Sequence, residues 1–357
     1  MEGFLSSTER RKQRAAYRAQ SRKIYVIFGL LIIAFLFVSK YYQTLEQEET
    51  YSGPKKIQVD NSGNIYLQLQ NQIFKFDKEG NQLFWIGKPE NGQGPFDGYI
   101  DFSVDDKENI YVADSKNKKI YLYNKEGALL SAFGKQGSSE GEFKSIIKIS
   151  VDEVGNIYVL DMYNARVQAF SNDGKFLWFC KIGVMMVPDE ITIDKEGKII
   201  VIDAQKDNIS TISSSGKRLK TINLRNSKLL GLAGIITTDT SNNYIIADYF
   251  TPNIWKIDSA GKEEKLNVDF SKKEKIAISD ITSDENGNLW VVDERQFVVL
   301  KIDAEGKTKS FMSNDLGNLL KELESKWKRI MLMRRLYLIL IFTLVLISLV
   351  LLLYKKR

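Results

Sequence analysis

The sequence contains no histidine and only one cysteine among its 357 residues. Without histidine, the chain lacks the most frequent general base and the most frequent zinc ligand of proteins. A single cysteine excludes any disulfide bond within the chain. Cys180 lies beside Trp178 and Phe179 in an apolar run, which favours a buried core thiol over a reactive one. These absences disfavour histidine-dependent catalysis and a fold held by disulfide bonds.

The middle of the chain lacks an excess of positive charge. The formal net charge is +6, but residues 1–23 contribute +5 and residues 326–357 contribute +8, so residues 24–325 carry −7. A domain that binds nucleic acid needs a basic face. The acidic middle therefore argues against a nucleic-acid partner.

Two apolar runs flank this middle region. Residues 24–42 and 336–354 are each about long enough to cross a bilayer as a helix at about 1.5 Å per residue. For the first run, a cleaved signal peptide is the alternative, but the long basic leader and the absence of an Ala-x-Ala site favour an uncleaved anchor.

Charge predicts how these helices cross the cell membrane. The basic residues that precede the first run predict a cytoplasmic N-terminus, and two spans place both termini there and the middle of the chain outside. The basic residues between Lys326 and Arg335 would then also lie outside, which opposes this topology. The predicted segments are a basic tail (1–23), a transmembrane helix (24–42), a linker (43–55), a repeat domain (56–312), a helical linker (313–335), a transmembrane helix (336–354) and a basic end (355–357).

The repeat domain contains one short phrase six times. It opens with an aspartate and reads most clearly from Asp152 to Asp161, as DEVGNIYVLD. The opening aspartates are Asp60, Asp105, Asp152, Asp194, Asp239 and Asp284, spaced 42 to 47 residues apart. A period of this length, rich in strand formers and turn residues, is typical of a β-propeller blade. The sequence therefore predicts an all-β, six-bladed propeller of four-stranded antiparallel blades, flanked by two transmembrane α-helices.

The turn Asp-x-x-Gly-Asn, the strand that ends in aspartate, and the later Phe-Gly resemble the NHL repeat. Gly-rich linkers at Gly94-Pro95-Phe96 and Gly141-Glu142-Phe143 are also similar to that family. The first repeat departs from the pattern with Leu69 in place of the strand-ending aspartate. The resemblance covers about residues 56–312 and implies a six-bladed propeller. The chain is also similar to the extracellular sensor propeller of bacterial receptor kinases, although this sequence contains no kinase.

Charged residues recur four positions before the opening aspartates, where the inner strands should begin. We expect them to meet at one mouth of the central channel, where mutual ion pairing at a solvated rim is favoured and binding of a cation or a zwitterion is the functional alternative. The predicted ligand-binding residues are Lys56, Asp101, Lys148, Glu190 and Asp280. Aromatic residues after the second strands, Tyr163, Tyr249 and Phe250, are predicted to form partner-binding loops, and packing onto the next blade is an equal alternative. The strand-ending aspartates are expected to hold their own loops.

No Ser–His, Cys–His or phosphate-loop pattern is present. The sequence therefore predicts no enzyme, no cofactor and no metal. It predicts a membrane-anchored, extracytoplasmic binding module that acts as a sensor or scaffold for a small ligand or for a protein partner in or near the membrane. The alternative is a calcium-dependent hydrolase similar to the propeller lactonases, for which only the mixed ring of charges could hold the ion.

Overall fold

Each repeat folds into four antiparallel strands because its apolar residues alternate along short runs that end in Asp, Asn and Gly turns. The structure is a computed structural model. It describes residues 7–47, 53–87, 96, 98–182, 190–203, 208–224, 234–248, 251–270, 276–311 and 314–355.

Six sheets form the blades, each built from four strands in chain order, so no strand is exchanged between blades. This confirms the predicted architecture. The strands are β1 (Lys56–Val59), β2 (Ile65–Leu69), β3 (Gln72–Phe76) and β4 (Gln82–Ile86) in blade 1; β5 (Ile100–Val104), β6 (Ile110–Asp114), β7 (Lys119–Tyr123) and β8 (Leu129–Phe133) in blade 2; β11 (Ile146–Val151), β12 (Ile157–Asp161), β13 (Arg166–Phe170) and β14 (Phe176–Lys181) in blade 3; β15 (Glu190–Ile193), β16 (Ile199–Asp203), β17 (Asn208–Ile212) and β18 (Arg218–Asn223) in blade 4; β19 (Ile235–Thr238), β20 (Tyr244–Ala247), β21 (Ile254–Ile257) and β22 (Glu263–Lys265) in blade 5; and β23 (Ile278–Ser283), β24 (Leu289–Asp293), β25 (Val298–Ile302) and β26 (Thr308–Ser310) in blade 6. A short parallel ribbon, β9 (Lys135–Gln136) with β10 (Glu142–Phe143), joins blades 2 and 3.

The strand order defines two faces. The turns that begin with the opening aspartates join the first two strands of each blade and lie on what we call the turn face. The inner strands begin on the opposite face, which we call the entry face and which also carries the loops after the second strands. Apolar clusters lie between successive blades: one joins Tyr66 and Ile73 of blade 1 to Phe102 and Val112 of blade 2. A blade is therefore buried only when its neighbours are present.

Polar contacts also join the inner strands of neighbouring blades. The Val104 N–H donates to Gln58 Oε1 between blades 1 and 2, at 2.8 Å. The Ser283 hydroxyl donates to the Thr238 carbonyl between blades 5 and 6, at 2.6 Å. The ring closes between blades 6 and 1, where the Ser279 hydroxyl donates to the Pro54 carbonyl at 2.7 Å.

Two long helices complete the described chain, α1 (Ser7–Gln47) and α2 (Asn314–Lys355). The chain divides into two units: residues 1–51 with 325–357 form one, and residues 52–324 form the other. The predicted helical linker and the second apolar run are one continuous helix. Among the described residues, only the stretch Asn314–Ser348 within α2 is long and apolar enough to cross a membrane.

The prediction of two transmembrane helices is therefore not confirmed. The apolar part of α1, Tyr25–Tyr41, is shorter than a candidate span. At 1.5 Å per residue it reaches about 26 Å, less than the thickness of a typical hydrocarbon core of about 30 Å. Phe35 of α1 stacks on Tyr337 of α2, with ring centroids 5.2 Å apart.

The first turns of α2 belong to the same unit as the propeller. The Leu316 N–H donates to the Gly80 carbonyl at 3.2 Å, and Asp315 Oδ2 accepts the Gln82 N–H at 3.1 Å. These contacts fasten the start of α2 to the turn between β3 and β4. That turn lies on the turn face. The outer strand β26 ends on the entry face, so the strand order alone would place the start of α2 on the entry face.

A glycine in the turn between the third and fourth strands of a blade packs against the previous blade. Gly174 has φ +83°, and a Cβ there would lie 2.6 Å from the Phe133 ring. Gly261 occupies the same turn of blade 5 with φ +88°, but a Cβ there meets nothing within 4 Å. Gly174→Ala should therefore cost about 1–3 kcal/mol more unfolding free energy than Gly261→Ala, because only the first adds overpacking to the φ penalty.

Denaturant titration of the full chain in micelles, followed by tryptophan fluorescence, measures this difference. Equal unfolding midpoints for the two variants would contradict the packing of these turns against the neighbouring blade.

Candidate ligand-binding site

The sequence-predicted ring forms at the axis on the entry face. Lys56, Asp101, Lys148, Glu190 and Asp280 lie at or within two residues of the start of their inner strands. Ile235 occupies the sixth position, at the start of β19. Because inner strands of all blades run in the same direction, their first residues meet at one mouth. We call this set of five charged residues the axial ring.

Four of the five charges pair with each other across blade boundaries. Lys56 Nζ lies 2.8 Å from Asp101 Oδ1, and Lys148 donates to Glu190 Oε2. Burial alone would lower the pKa of Lys56, but the attraction of Asp101 and then Glu190 outweighs it, so the pKa rises above its usual value. The pKa of Lys148 is raised further in the same way, chiefly by Glu190. Both lysines thus stay charged well above neutral pH.

Carboxylates of the ring also accept backbone N–H groups from the next blade. Asp101 Oδ2 accepts the Ile149 N–H at 2.8 Å, and Asp280 Oδ2 accepts the Ile57 N–H at 2.8 Å. The second bond spans the junction at which the ring closes. These two aspartates therefore connect neighbouring blades in addition to placing charge at the mouth.

Asp280 is the carboxylate of the ring without an ion pair among the described residues. It is 7% exposed, and the Ile57 N–H is the one hydrogen-bond donor that the described chain gives it. Burial raises the pKa of Asp280 to about 7, with Lys56 opposing and Glu190 assisting the shift. The side chain therefore changes charge near neutral pH and can receive a further hydrogen bond.

Tyr99, which the sequence reasoning missed, stands beside the ring. Its side chain is 52% exposed, and loss of hydration around the hydroxyl raises its pKa, with Lys148 opposing and Asp101 assisting. The residue immediately precedes β5. An aromatic residue directly before an inner strand was the signal that could have identified it.

The predicted partner-binding loops are described in part. Tyr163 lies in a short 3-10 helix after β12 and is 70% exposed. Tyr249 and Phe250 lie outside the described residues. The strand-ending aspartates hold their loops as predicted: Asp114 Oδ1 accepts the N–H groups of Lys116 and Asn117 at 2.9 Å. Cys180 is only half-buried, and burial raises its pKa.

In the described part of the chain, no three Asp, Glu, Cys or His side chains come close enough together to hold a metal ion. Two of the three carboxylates of the axial ring are paired with lysines. The calcium-dependent alternative therefore gains no support from the geometry of the ring.

The fold of this chain is shared with known proteins. A family described as 6-bladed beta-propeller matches residues 106–296, more than half of the chain. The chain belongs to this family. No curated protein matches its sequence.

Several solved structures share the fold. Virginiamycin B lyase from Staphylococcus aureus is 16% identical, with a TM-score of 0.55 over 73% of this chain and 85% of that protein. A streptogramin B lyase is 17% identical, with a TM-score of 0.56 over 72% and 82% of the two chains. A protein of unknown function from Bacteroides thetaiotaomicron is 16% identical, with a TM-score of 0.53 over 70% and 69%.

These neighbours overturn one prediction. The sequence predicted that the chain is not an enzyme, and that prediction is wrong because solved propellers of the same fold are lyases. The missing histidine excluded particular mechanisms, not catalysis on this fold. At this level of identity, however, the likeness establishes the fold alone and assigns no lyase activity to this chain.

The raised pKa of Asp280 predicts a specific dependence of stability on pH. A carboxyl group whose folded pKa exceeds its unfolded value stabilises the fold when protonated. Its contribution is therefore full below about pH 4 and is lost as the pH rises towards about 7. The lysines of the ring do not titrate in this window, because their pKa values are raised from 10.5.

Asp280→Asn keeps an oxygen that can accept the Ile57 N–H and removes the titration. Its unfolding free energy should rise relative to the wild type from about pH 4 to about pH 7, by at most about 1.4 kcal/mol per pH unit. Denaturant titrations of the full chain at several pH values measure the difference. Glu305→Gln, which changes an exposed carboxylate of the same blade, is the control. Parallel pH profiles for Asp280→Asn and wild type would contradict the assignment.

Proposed function

We propose that the propeller is the recognition domain of a membrane-anchored binding protein and that the axial ring binds a small zwitterionic ligand. The observation that carries this proposal is the buried carboxylate of Asp280, which has one hydrogen-bond donor and no ion pair among the described residues. A buried carboxylate without a cationic partner is costly, and a bound ammonium group would supply both the charge and the missing hydrogen bond.

The ring matches a ligand that bears charges of both signs. The ammonium group of the ligand reaches Asp280, and its carboxylate group lies towards Lys56 and Lys148. Each lysine has three N–H donors, and the described ring gives each one carboxylate partner. Tyr99 then lies at the exposed side of the ligand, where its half-exposed ring contacts the ligand's remaining atoms.

The resemblance to NHL repeats and to sensor propellers supports the role of a sensor or scaffold, and we extend the proposal to a protein partner. An exposed aromatic side chain on a long loop is typical of a contact residue in a protein interface. Tyr163 has this character, and it lies on the entry face together with the axial ring. Ligand binding at the ring and partner binding at this loop would thus share one face of the propeller.

Membrane anchoring is proposed through the apolar part of α2. The stack of Phe35 on Tyr337 supports an apolar segment of α1 that accompanies α2 in the bilayer. The basic N-terminal tail favours a cytoplasmic N-terminus. We therefore propose that α1 crosses the bilayer beside α2, which places both termini in the cytoplasm and the propeller outside it.

A ligand that binds ionised Asp280 should bind more weakly as the pH falls through about 7, because protonation removes the charge that attracts its ammonium group. Calorimetric titration of the full chain in micelles with the free amino acids measures this affinity. At least one amino acid should bind saturably, with an affinity that rises from about pH 5 to about pH 8.

Asp280→Asn should abolish the pH dependence and weaken binding about tenfold or more. Glu305→Gln should behave as wild type. The proposal fails if no amino acid binds, or if the amino acid that binds does so equally well to Asp280→Asn.

Topology has its own test. Protease added to intact protoplasts that express the full chain should digest residues 56–312 and spare a tag at Met1, because the propeller lies outside and the tag inside. Permeabilised protoplasts, in which the tag is also digested, serve as the control. A propeller that resists digestion in intact protoplasts would reverse the proposed orientation.

A further inference from the structure

A cavity of about 350 Å³ opens on the turn face, at the other end of the inner strands from the axial ring. Its walls come from three successive blades. The last residues of their inner strands, Val104, Val151 and Ile193, line the apolar part, and the exposed Val154 extends it. A volume of this size is within the range of small-molecule sites.

The charge in the cavity is strongly negative. Five carboxylates and one lysine, Lys195, line it. Loss of hydration raises the pKa of Asp106, and the neighbouring Glu153 adds to the shift. Glu196 forms an ion pair with Lys198 and accepts a bond from Asn242, so it contributes less.

One of the lining carboxylates is buried and only half satisfied. Asp194 is 7% exposed. Its Oδ1 accepts the N–H groups of Glu196 and Lys198 at 3.0 and 2.8 Å, and no described residue donates to its Oδ2. This open oxygen, on an otherwise buried side chain that lines the cavity, is a second observation besides the acidic rim that points to a ligand.

The other five blades show which hydrogen-bond donors Asp194 Oδ2 lacks. In each of them the asparagine four residues after the opening aspartate donates to its second oxygen, and a tyrosine, tryptophan or lysine donates to the same oxygen. In blade 3, for example, Asn156 and Tyr158 bond Asp152 Oδ2 at 2.8 and 3.1 Å. In blade 5, Asn243 and Lys256 bond Asp239 Oδ2 at 2.8 and 2.9 Å. Blade 4 has Lys198 and Ile200 at the equivalent positions, so the cap on Asp194 is absent.

The geometry points to a small organic cation as the occupant, one with an ammonium group on an apolar body. The ammonium group fills the place of the missing donors at Asp194 Oδ2, and the apolar body lies against Val104, Val151 and Ile193. A bare metal ion fits less well, because no three carboxylates in the described chain converge closely enough to hold one. This site is separate from the axial ring and does not depend on the function proposed for the ring.

The test uses 2-phenylethylammonium as the probe and neutral 2-phenylethanol as its matched control. Ligand-observed NMR titration of the full chain in neutral micelles measures both. The ammonium compound should bind saturably, and the alcohol should bind at least about tenfold more weakly, since it lacks the charge. Absence of saturable ammonium binding, or equal binding of the alcohol, overturns the proposal.

Variants assign the binding to Asp194. Asp194→Asn keeps an acceptor for the two N–H groups and should weaken ammonium binding about tenfold or more. Asp239→Asn alters the same position in blade 5, outside the cavity, and should bind as wild type. In Asp280→Asn, which removes the ammonium-binding carboxylate of the axial ring, the saturable binding that Asp194→Asn weakens should remain, which separates the two sites. An unchanged affinity in Asp194→Asn, or a loss in Asp280→Asn, overturns the assignment.

A second variant covers the case in which Asp194→Asn does not fold. Lys198→Asn with Glu196→Gln removes one charge of each sign and introduces the amide that caps the opening aspartate in the other five blades. This double variant should also lose ammonium binding while its melting temperature stays near the wild-type value. Retained binding in a folded double variant overturns the role of the uncapped oxygen.

Discussion

Hydrogen bonds between neighbouring inner strands are the interaction on which the rest of the propeller depends. No sheet runs through all the blades, so every junction needs contacts of its own. Ring closure rests on the Asp280 carboxylate and the Ile57 N–H, and the next two junctions use Lys56 with Asp101 and Asp101 with the Ile149 N–H. Five of the six inner strands therefore carry a charged side chain near their start, and Ile235 is the exception.

That requirement also creates the chemistry. Burying five charges at one mouth is favourable only where opposite charges meet, and two lysines satisfy two of the three carboxylates. Asp280 keeps its place because it joins blade 6 to blade 1, yet the structure gives it no cationic partner among the described residues. Its raised pKa is the energetic consequence. At the other end of the strands, Asp194 shows a similar pattern: it makes the turn bonds that recur in the other repeats of the chain but lacks their cap, and it lies next to a cavity.

Much of this was predictable from the sequence because the period fixes the phase of the strands. Once the repeat begins at Asp105 and its equivalents, residues four positions earlier must share one mouth, and the structure places them there. Which of these charged side chains pair with each other was not predictable, because that depends on which neighbour each side chain reaches. Tyr99 was missed since it precedes the strand. The open oxygen of Asp194 was readable in principle, from Lys198 and Ile200 where other repeats have Asn and an aromatic residue.

Two further expectations failed for physical reasons. The apolar part of α1, Tyr25–Tyr41, is two residues shorter than the predicted span of residues 24–42 and does not reach across a typical hydrocarbon core. The absence of histidine was taken to mean that the chain is not an enzyme. It excludes only mechanisms that need histidine, and solved propellers of this fold are lyases.

The ionisation of Asp280 tests the central claim most directly. NMR titration of the full chain with ¹³C-labelled aspartate carboxyl groups, with the signal assigned by its absence in Asp280→Asn, gives the pKa. An uncompensated buried carboxylate predicts a midpoint of about 7. A midpoint near the ordinary value of 3.8 would show that Asp280 is solvated or paired, and the account of the axial ring would be wrong.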